Sequence, residues 1–160
     1  MIETVFGKEK DLFFMQEALV EAKKAQEIDE VPIGAIVVNK EGIIIARGYN
    51  RVEKDYTQRS HAESLAIEKA GKELKDWRLK GCWIYITLEP CTMCMELIKL
   101  SRLAGVVYGA SSPLFGFQLD KIEDLSVYKR DTFSIIEGVR SNESANILKQ
   151  FFRKKRKNSE

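Results

Sequence analysis

One pattern limits the folds open to this 160-residue chain. Ser60-His61-Ala62-Glu63 carries its single histidine, and Leu88-Glu89-Pro90-Cys91-Thr92-Met93-Cys94 carries two of its three cysteines. One imidazole and two thiolates suit a zinc ion and leave a fourth position open. The fold must then bring two segments that are distant in sequence to one point.

The composition permits such a fold. A chain of this length can bury a sizeable core as one domain, taken as residues 1–160. Hydrophobic content of 44% and charged content of 31% are ordinary for a globular protein. No apolar run approaches the ~20 residues that span a bilayer. The amino terminus lacks a basic stretch followed by an apolar one, so the expectation is a cytoplasmic protein with no membrane association. An odd number of cysteines argues against a disulfide framework and for a reducing compartment.

Charge is uneven. Of 26 basic residues, five lie in Arg153-Lys154-Lys155-Arg156-Lys157, so the remainder has 21 basic against 24 acidic residues, a net of −3. A slightly acidic body thus ends in a basic arm at about 153–160. Such an arm either binds a polyanion by counterion release or is a solvated, frayed terminus.

Periodicity gives the order of elements. Residues 9–28 read as an amphipathic helix with Leu12, Met15, Leu19, Ala22 and Ala25 recurring at helical spacing and Phe13 and Phe14 widening the face. Ile33 to Asn39 and Ile43 to Arg47 form a hairpin across Lys40-Glu41-Gly42. The run Ile43-Ile44-Ile45-Ala46 predicts burial on both faces. Residues 51–59 are irregular, and a helix follows from His61 to about Gly71. In the connection 72–82, Leu74, Trp77 and Leu79 are expected anchors. A strand over Trp83 to Leu88, a helix from Cys91 to about Ser101 and a strand over Gly105 to Gly109 come next. Residues 110–131 are the least readable, then Phe133 to Ile136 is a strand and Asn142 to about Lys154 a closing helix carrying Ala145, Leu148, Phe151 and Phe152. Strands alternating with helices predict an α/β layered domain with helices on both faces of one sheet.

Both halves of the motif fall at predicted helix starts. Spacing of three puts Cys91 and Cys94 on one face of a first turn, where the helix dipole favours thiolates. Pro90 suits a helix start because its missing amide hydrogen is not needed there. His61 is the third donor, and the open position takes water, whose pKa zinc lowers to about 7. Glu63 is the candidate general acid/base. Two residues along an ideal helix it would point about 200° from His61, so a shared site needs looser geometry in the first turn. Other uses stay open. Ser60-x-x-Glu63 is also a capping box. A Cys-x-x-Cys also serves as a redox pair or as half of a closed zinc site, here completed by Cys82 or a carboxylate. Cys82, next to a strand, reads as a buried small hydrophobe.

His61-Ala62-Glu63 followed by Pro90-Cys91-Thr92-Met93-Cys94 resembles the zinc-dependent nucleobase deaminases. The wider chain, through Val31-Pro32-Ile33-Gly34-Ala35, Trp77-Arg78-Leu79, Thr87-Leu88-Glu89-Pro90-Cys91 and Phe151-Phe152-Arg153, resembles the bacterial tRNA-specific adenosine deaminases over most of residues 10–156. The resemblance implies a three-layer α/β/α cytidine-deaminase-like domain with a central mixed five-stranded sheet, usually a homodimer, and no nucleotide cofactor. It implies one zinc ion per chain on His61, Cys91 and Cys94, with Glu63 as proton shuttle. The implied reaction is hydrolysis of adenosine to inosine at the wobble position of a tRNA anticodon loop. Asn50 matches a base-contacting asparagine, although it also reads as a turn residue. Arg153, Lys154 and Arg156 match a region that approaches RNA. Rival readings are a deaminase of a free nucleobase or nucleoside, such as cytosine or guanine, and a non-catalytic zinc-stabilised RNA-binding module.

Two stretches depart from the family pattern. Thr57-Gln58-Arg59-Ser60 stands where Asp-Pro-Thr-Ala is usual. Ser111-Ser112-Pro113-Leu114-Phe115-Gly116-Phe117 replaces a segment with an acidic residue and a lysine. Phe115 and Phe117 read as core or dimer contacts, with base stacking as the alternative.

Overall fold

The computed structural model describes residues 2–119 and 133–159. Five strands form one mixed sheet: β1 (Gly34–Val38), β2 (Ile44–Tyr49), β3 (Trp83–Leu88), β4 (Gly105–Ala110) and β5 (Ser134–Glu137), in the order β2-β1-β3-β4-β5. β1 runs antiparallel to β2 and β3, while β3, β4 and β5 are parallel. Every residue of β1 and β4, and all but Leu88 of β3, are buried. That is why these strands read as continuous apolar runs.

Side-chain alternation splits the sheet into two cores. Ile36, Val38, Trp83, Tyr85, Val107 and Ile136 meet Phe14, Met15 and Ala18 of α1 (Lys8–Glu27). Ala35, Val37, Ile84, Ile86, Val106 and Tyr108 meet Ala62, Ala66, Ala70, Met95 and Ile98. These last five belong to α3 (Ala62–Leu74) and α4 (Thr92–Leu100). α5 (Ser141–Asn158) joins α1, with Ile147 against Leu19 and Ala22. The result is the expected α/β/α arrangement of three layers.

Ala62, Ala66 and Ala70 repeat every four residues and let α3 lie close on the sheet. At Gly48 of β2 the approach is so near that a Cβ would meet Ala62 O and Ala66 N. The first turn of α3, next to His61, is therefore held in place by backbone packing.

Several expectations fail, each for a physical reason. β2 is an edge strand; Ile43 is 58% exposed, and Ile44 and Ile45 are half-buried. An apolar run reads the same whether one neighbouring strand covers it or two. Leu74 and Trp77 do not anchor the connection before β3, since Trp77 is 56% exposed with its ring under the Arg78 guanidinium. Of the three expected anchors only Leu79 is buried, and its N–H donates to Ser101 O. On α1, Phe13 is exposed and Phe14 buried. On α5, Phe152 is exposed, and buried Ser144 and Ile147 were not anticipated. α5 also runs through Asn158, so the basic arm is helical rather than frayed. Within 51–59 lies a short helix, α2 (Val52–Asp55), and a 3-10 turn follows at Gln58–Ser60. Of the least readable stretch, 110–131, residues 120–131 lie outside those described.

Candidate metal centre and active site

The strand-to-helix connections after Tyr49 and Leu88 bring the motif's halves together. His61 is the N-cap of α3 and Cys91 the N-cap of α4, both with extended backbone. Their carbonyls accept the first helical bonds, from Leu65 and Met95. This removes the angular objection to Glu63. His61 stands outside the helix, so the 100° rotation per residue does not apply across His61, Ala62 and Glu63. Glu63 and Cys94 occupy the first turns, and both are buried.

The three donors converge. His61 Nδ1 lies 3.7 Å from Cys91 Sγ and 3.3 Å from Cys94 Sγ, and all three donor atoms lie within 4.8 Å of one another. A tetrahedral zinc, with bonds of about 2.3 Å to sulfur and about 2.0 Å to nitrogen, sets its donors roughly 3.5–3.8 Å apart. The donor set therefore fits zinc in chemistry and in spacing. Cys82, though buried, is not among the three grouped donors.

Electrostatics support the same use. The bond from Cys94 lowers the Cys91 thiol to about 4, and His61 adds to this. Cys94 is pushed well above the ordinary thiol range, first by its bond to Cys91 and then by burial. The two sulfurs thus share a proton that a divalent cation would displace. His61 is raised, chiefly by its bond to Cys91. Glu63 is 4% exposed, and desolvation pushes its carboxyl up to about 7. A carboxyl poised there both accepts and returns protons near neutrality.

The capping-box reading of Ser60 and Glu63 is overturned. No side chain caps α3, and the Ser60 hydroxyl donates instead to Asp55 Oδ2 at 2.7 Å. Sequence reasoning missed Gln58, whose Oε1 lies 3.0 Å from His61 Nε2. With Nε2–H donating to Gln58, Nδ1 presents its lone pair to the sulfurs. The need of any ligating histidine for an outer partner was the available signal. Ser64 Oγ, 3.8 Å from Cys94 Sγ, supports the second sulfur.

Asn50 is buried at the end of β2, its N–H donating to Ile33 O and its Nδ2 to Val31 O. The next residue, Arg51, donates its N–H to Ser60 O, which ties Asn50 to the segment carrying His61. Arg153, Lys154 and Arg156 are exposed on α5 and are not part of the donor cluster. Phe117 is half-buried with its ring edge-on to Tyr108, while Phe115 is exposed, so only the first fits the core reading.

Residues 8–110 match the cytidine and deoxycytidylate deaminase zinc-binding region. The chain is 41% identical over 152 residues to the tRNA-specific adenosine deaminase of Bacillus subtilis, covering 92% of each chain. It is 43% identical over 147 residues to the enzyme of the same name from Agrobacterium fabrum, covering 89% of this chain and 94% of that one. A structure solved in work on A-to-I editing by tRNA:A34 deaminases at the wobble position of transfer RNA superposes with a TM-score of 0.76. That pair is 38% identical, over 85% of this chain and 99% of the other.

Proposed function

The chain belongs to the cytidine and deoxycytidylate deaminase zinc-binding family, and from that footing we propose that it hydrolyses adenosine to inosine at the wobble position of a tRNA anticodon. The observation that carries this reading is a buried carboxyl, Glu63, beside the three-donor cluster of His61, Cys91 and Cys94. These three residues would hold one zinc ion. When bound, zinc supplies a Lewis acid that makes water acidic enough to attack near neutral pH.

The remaining chemistry falls to the chain. Glu63 takes a proton from the attacking water and passes it to the purine ring nitrogen beside C6. The second proton goes by the same carboxyl to the leaving amino group. The C6–O bond forms, the C6–N bond breaks, and ammonia leaves with no net change of charge on Glu63. Burial raises the Glu63 carboxyl above the ordinary carboxylate range, which favours its holding and returning the proton it takes. Asn50, held by Val31 O, orients the base. An anticodon loop suits such a site because its bases unstack at low cost.

Arg153, Lys154 and Arg156 supply phosphate contacts along α5. The protein works as a homodimer in the cytoplasm. Met93, Leu97 and Leu100 recur along one side of α4, with Met93 and Leu100 exposed, which supports pairing through that helix. No helix among the described residues is long and apolar enough to cross a membrane.

The deciding experiment compares inosine formation in an anticodon stem-loop with ammonia release from free adenine, guanine, cytosine and their nucleosides. Turnover of the stem-loop alone, abolished by chelation and restored by zinc, is the expected result. Turnover of a free base with an inert stem-loop would overturn the RNA assignment. Activity indifferent to chelation would overturn the zinc assignment.

A further inference from the structure

Glu89 is a carboxylate that the chemistry above does not use. It is 5% exposed, and no lysine, arginine or histidine pairs with it among the described residues. A buried carboxyl group is accommodated where its oxygens accept hydrogen bonds. Glu89 Oε1 accepts the N–H of Ser112 at 3.1 Å, and Oε2 accepts the N–H of Gln118 at 3.2 Å. Both donors are backbone amides of the segment that follows β4.

The backbone repeats the connection. The N–H of Glu89 donates to Ala110 O at 2.8 Å, and the N–H of Phe117 donates to Pro90 O at 3.0 Å. Residues 111–118 are thereby fastened to the two residues that precede Cys91. Gly116 lies against the carboxylate so closely that a Cβ there would meet its Oε2 and Cδ. The segment also closes on itself, through Phe115 N–H to Ser112 Oγ and Leu119 N–H to Gly116 O. Its tip presents Leu114 and Phe115, which are 75% and 76% exposed.

We propose that Glu89 is a positioning residue: its carboxylate clamps segment 111–118 onto the loop carrying Cys91 and so fixes one wall of the substrate entrance. The clamp ties a segment with an exposed apolar tip to the two residues that lead into Cys91. Two amides near opposite ends of the segment converge on one side chain, so losing that side chain loosens the span between them and leaves the Phe117 N–H to Pro90 O bond to hold it. The functional consequence rests on the deaminase reading; the clamp itself does not.

The test uses zinc-loaded full-length protein. In Glu89→Ala the amides of Ser112 and Gln118 exchange about tenfold faster or more, the equivalent of losing one hydrogen bond at each site. Glu89→Gln retains one acceptor oxygen, so one of the two amides stays protected. On whichever substrate turns over, KM rises by about tenfold in Glu89→Ala, a larger change than the fall in kcat, and zinc content is held. Gly116→Ala displaces the carboxylate and moves the same quantities in the same direction. Combined with Glu89→Ala, Gly116→Ala adds nothing further, because the collision is gone. Unchanged exchange at Ser112 and Gln118 overturns the clamp, as do additive effects in the double variant. Exchange that rises without any change in KM overturns the role at the entrance. Should Glu89→Ala not fold, Gly116→Ala alone carries the exchange and KM readings. Because exchange needs no substrate, failure of the RNA assignment and failure of the clamp are separate outcomes.

Discussion

At the amino ends of α3 and α4, four side chains stand close together, two of them buried, and each has a partner within the cluster. At the carboxyl end of α5, five consecutive cations point into solvent, and one of them, Lys155, reaches an acidic partner, Asp29. The two regions obey different physics. In the cluster, low dielectric and short distances make each group's ionisation depend on its neighbours, so a small displacement changes the chemistry. On α5, water screens each charge, and what counts is how many there are and how they are spaced. Substitutions in the first region should act steeply and non-additively, and those in the second shallowly and in proportion.

The sharpest break of that contrast is Glu63→Gln. It keeps the shape of the side chain and removes its capacity to move protons. We expect kcat to fall about 10²–10⁴-fold, the usual contribution of a general acid/base, with zinc content unchanged. Single-turnover measurement on the stem-loop, with metal analysis on the same sample, checks both. Full activity in Glu63→Gln would remove the residue from the mechanism.

Gln58→Ala tests the outer edge of the cluster, where it begins to resemble α5 in exposure. The bond from His61 Nε2 to Gln58 is 3.0 Å but open to solvent. Outer partners of ligating histidines typically contribute 10–100-fold in metal affinity. Because water can replace part of this bond, the expected loss is at the low end, about tenfold, read by competition with a chromophoric chelator. Gln58→Glu keeps an acceptor at the same place and should recover the affinity. An unchanged affinity in Gln58→Ala would confine the cluster's steep behaviour to its donors and Glu63.

The same contrast explains what the sequence could reveal. The three donors were legible because one histidine and a Cys-x-x-Cys leave few ways to build an open zinc site. β1, β3 and β4 were legible because strands covered on both faces are apolar throughout. β2 was misjudged because burial is decided by neighbours in space, and an edge strand has one fewer. α2 was missed because four polar-rich residues carry no periodicity. What holds that turn is distant: Glu30 Oε1 accepts the N–H of Lys54 at 2.7 Å, and the N–H of Arg51 donates to Ser60 O at 2.9 Å. Gln58 and Glu89 were invisible as site-building residues for the same reason. Their roles lie in contacts with His61 and with the amides of Ser112 and Gln118, which no local spacing encodes.

The smallest expected effects lie on α5, and they separate its cations from one another. Each phosphate contact contributes close to one to the slope of log affinity against log salt, somewhat less on single-stranded RNA. Arg153→Ala, Lys154→Ala and Arg156→Ala should each flatten that slope by about 0.7–0.9 and weaken stem-loop binding alike for every loop sequence. Lys155 differs, because Asp29 already offsets its charge and Phe151 lies under its ammonium at 5.7 Å. Lys155→Ala should therefore flatten the slope less than its neighbours do. Asp29→Asn, which releases Lys155 to the RNA, should steepen it. An exposed pair of this kind contributes about 0–1 kcal/mol to folding, so neither change should disturb the fold. The measurement is stem-loop binding by fluorescence anisotropy across a salt series. If Lys155→Ala behaves as Arg153→Ala does, the pairing with Asp29 has no bearing on RNA binding, and α5 acts through its summed charge alone.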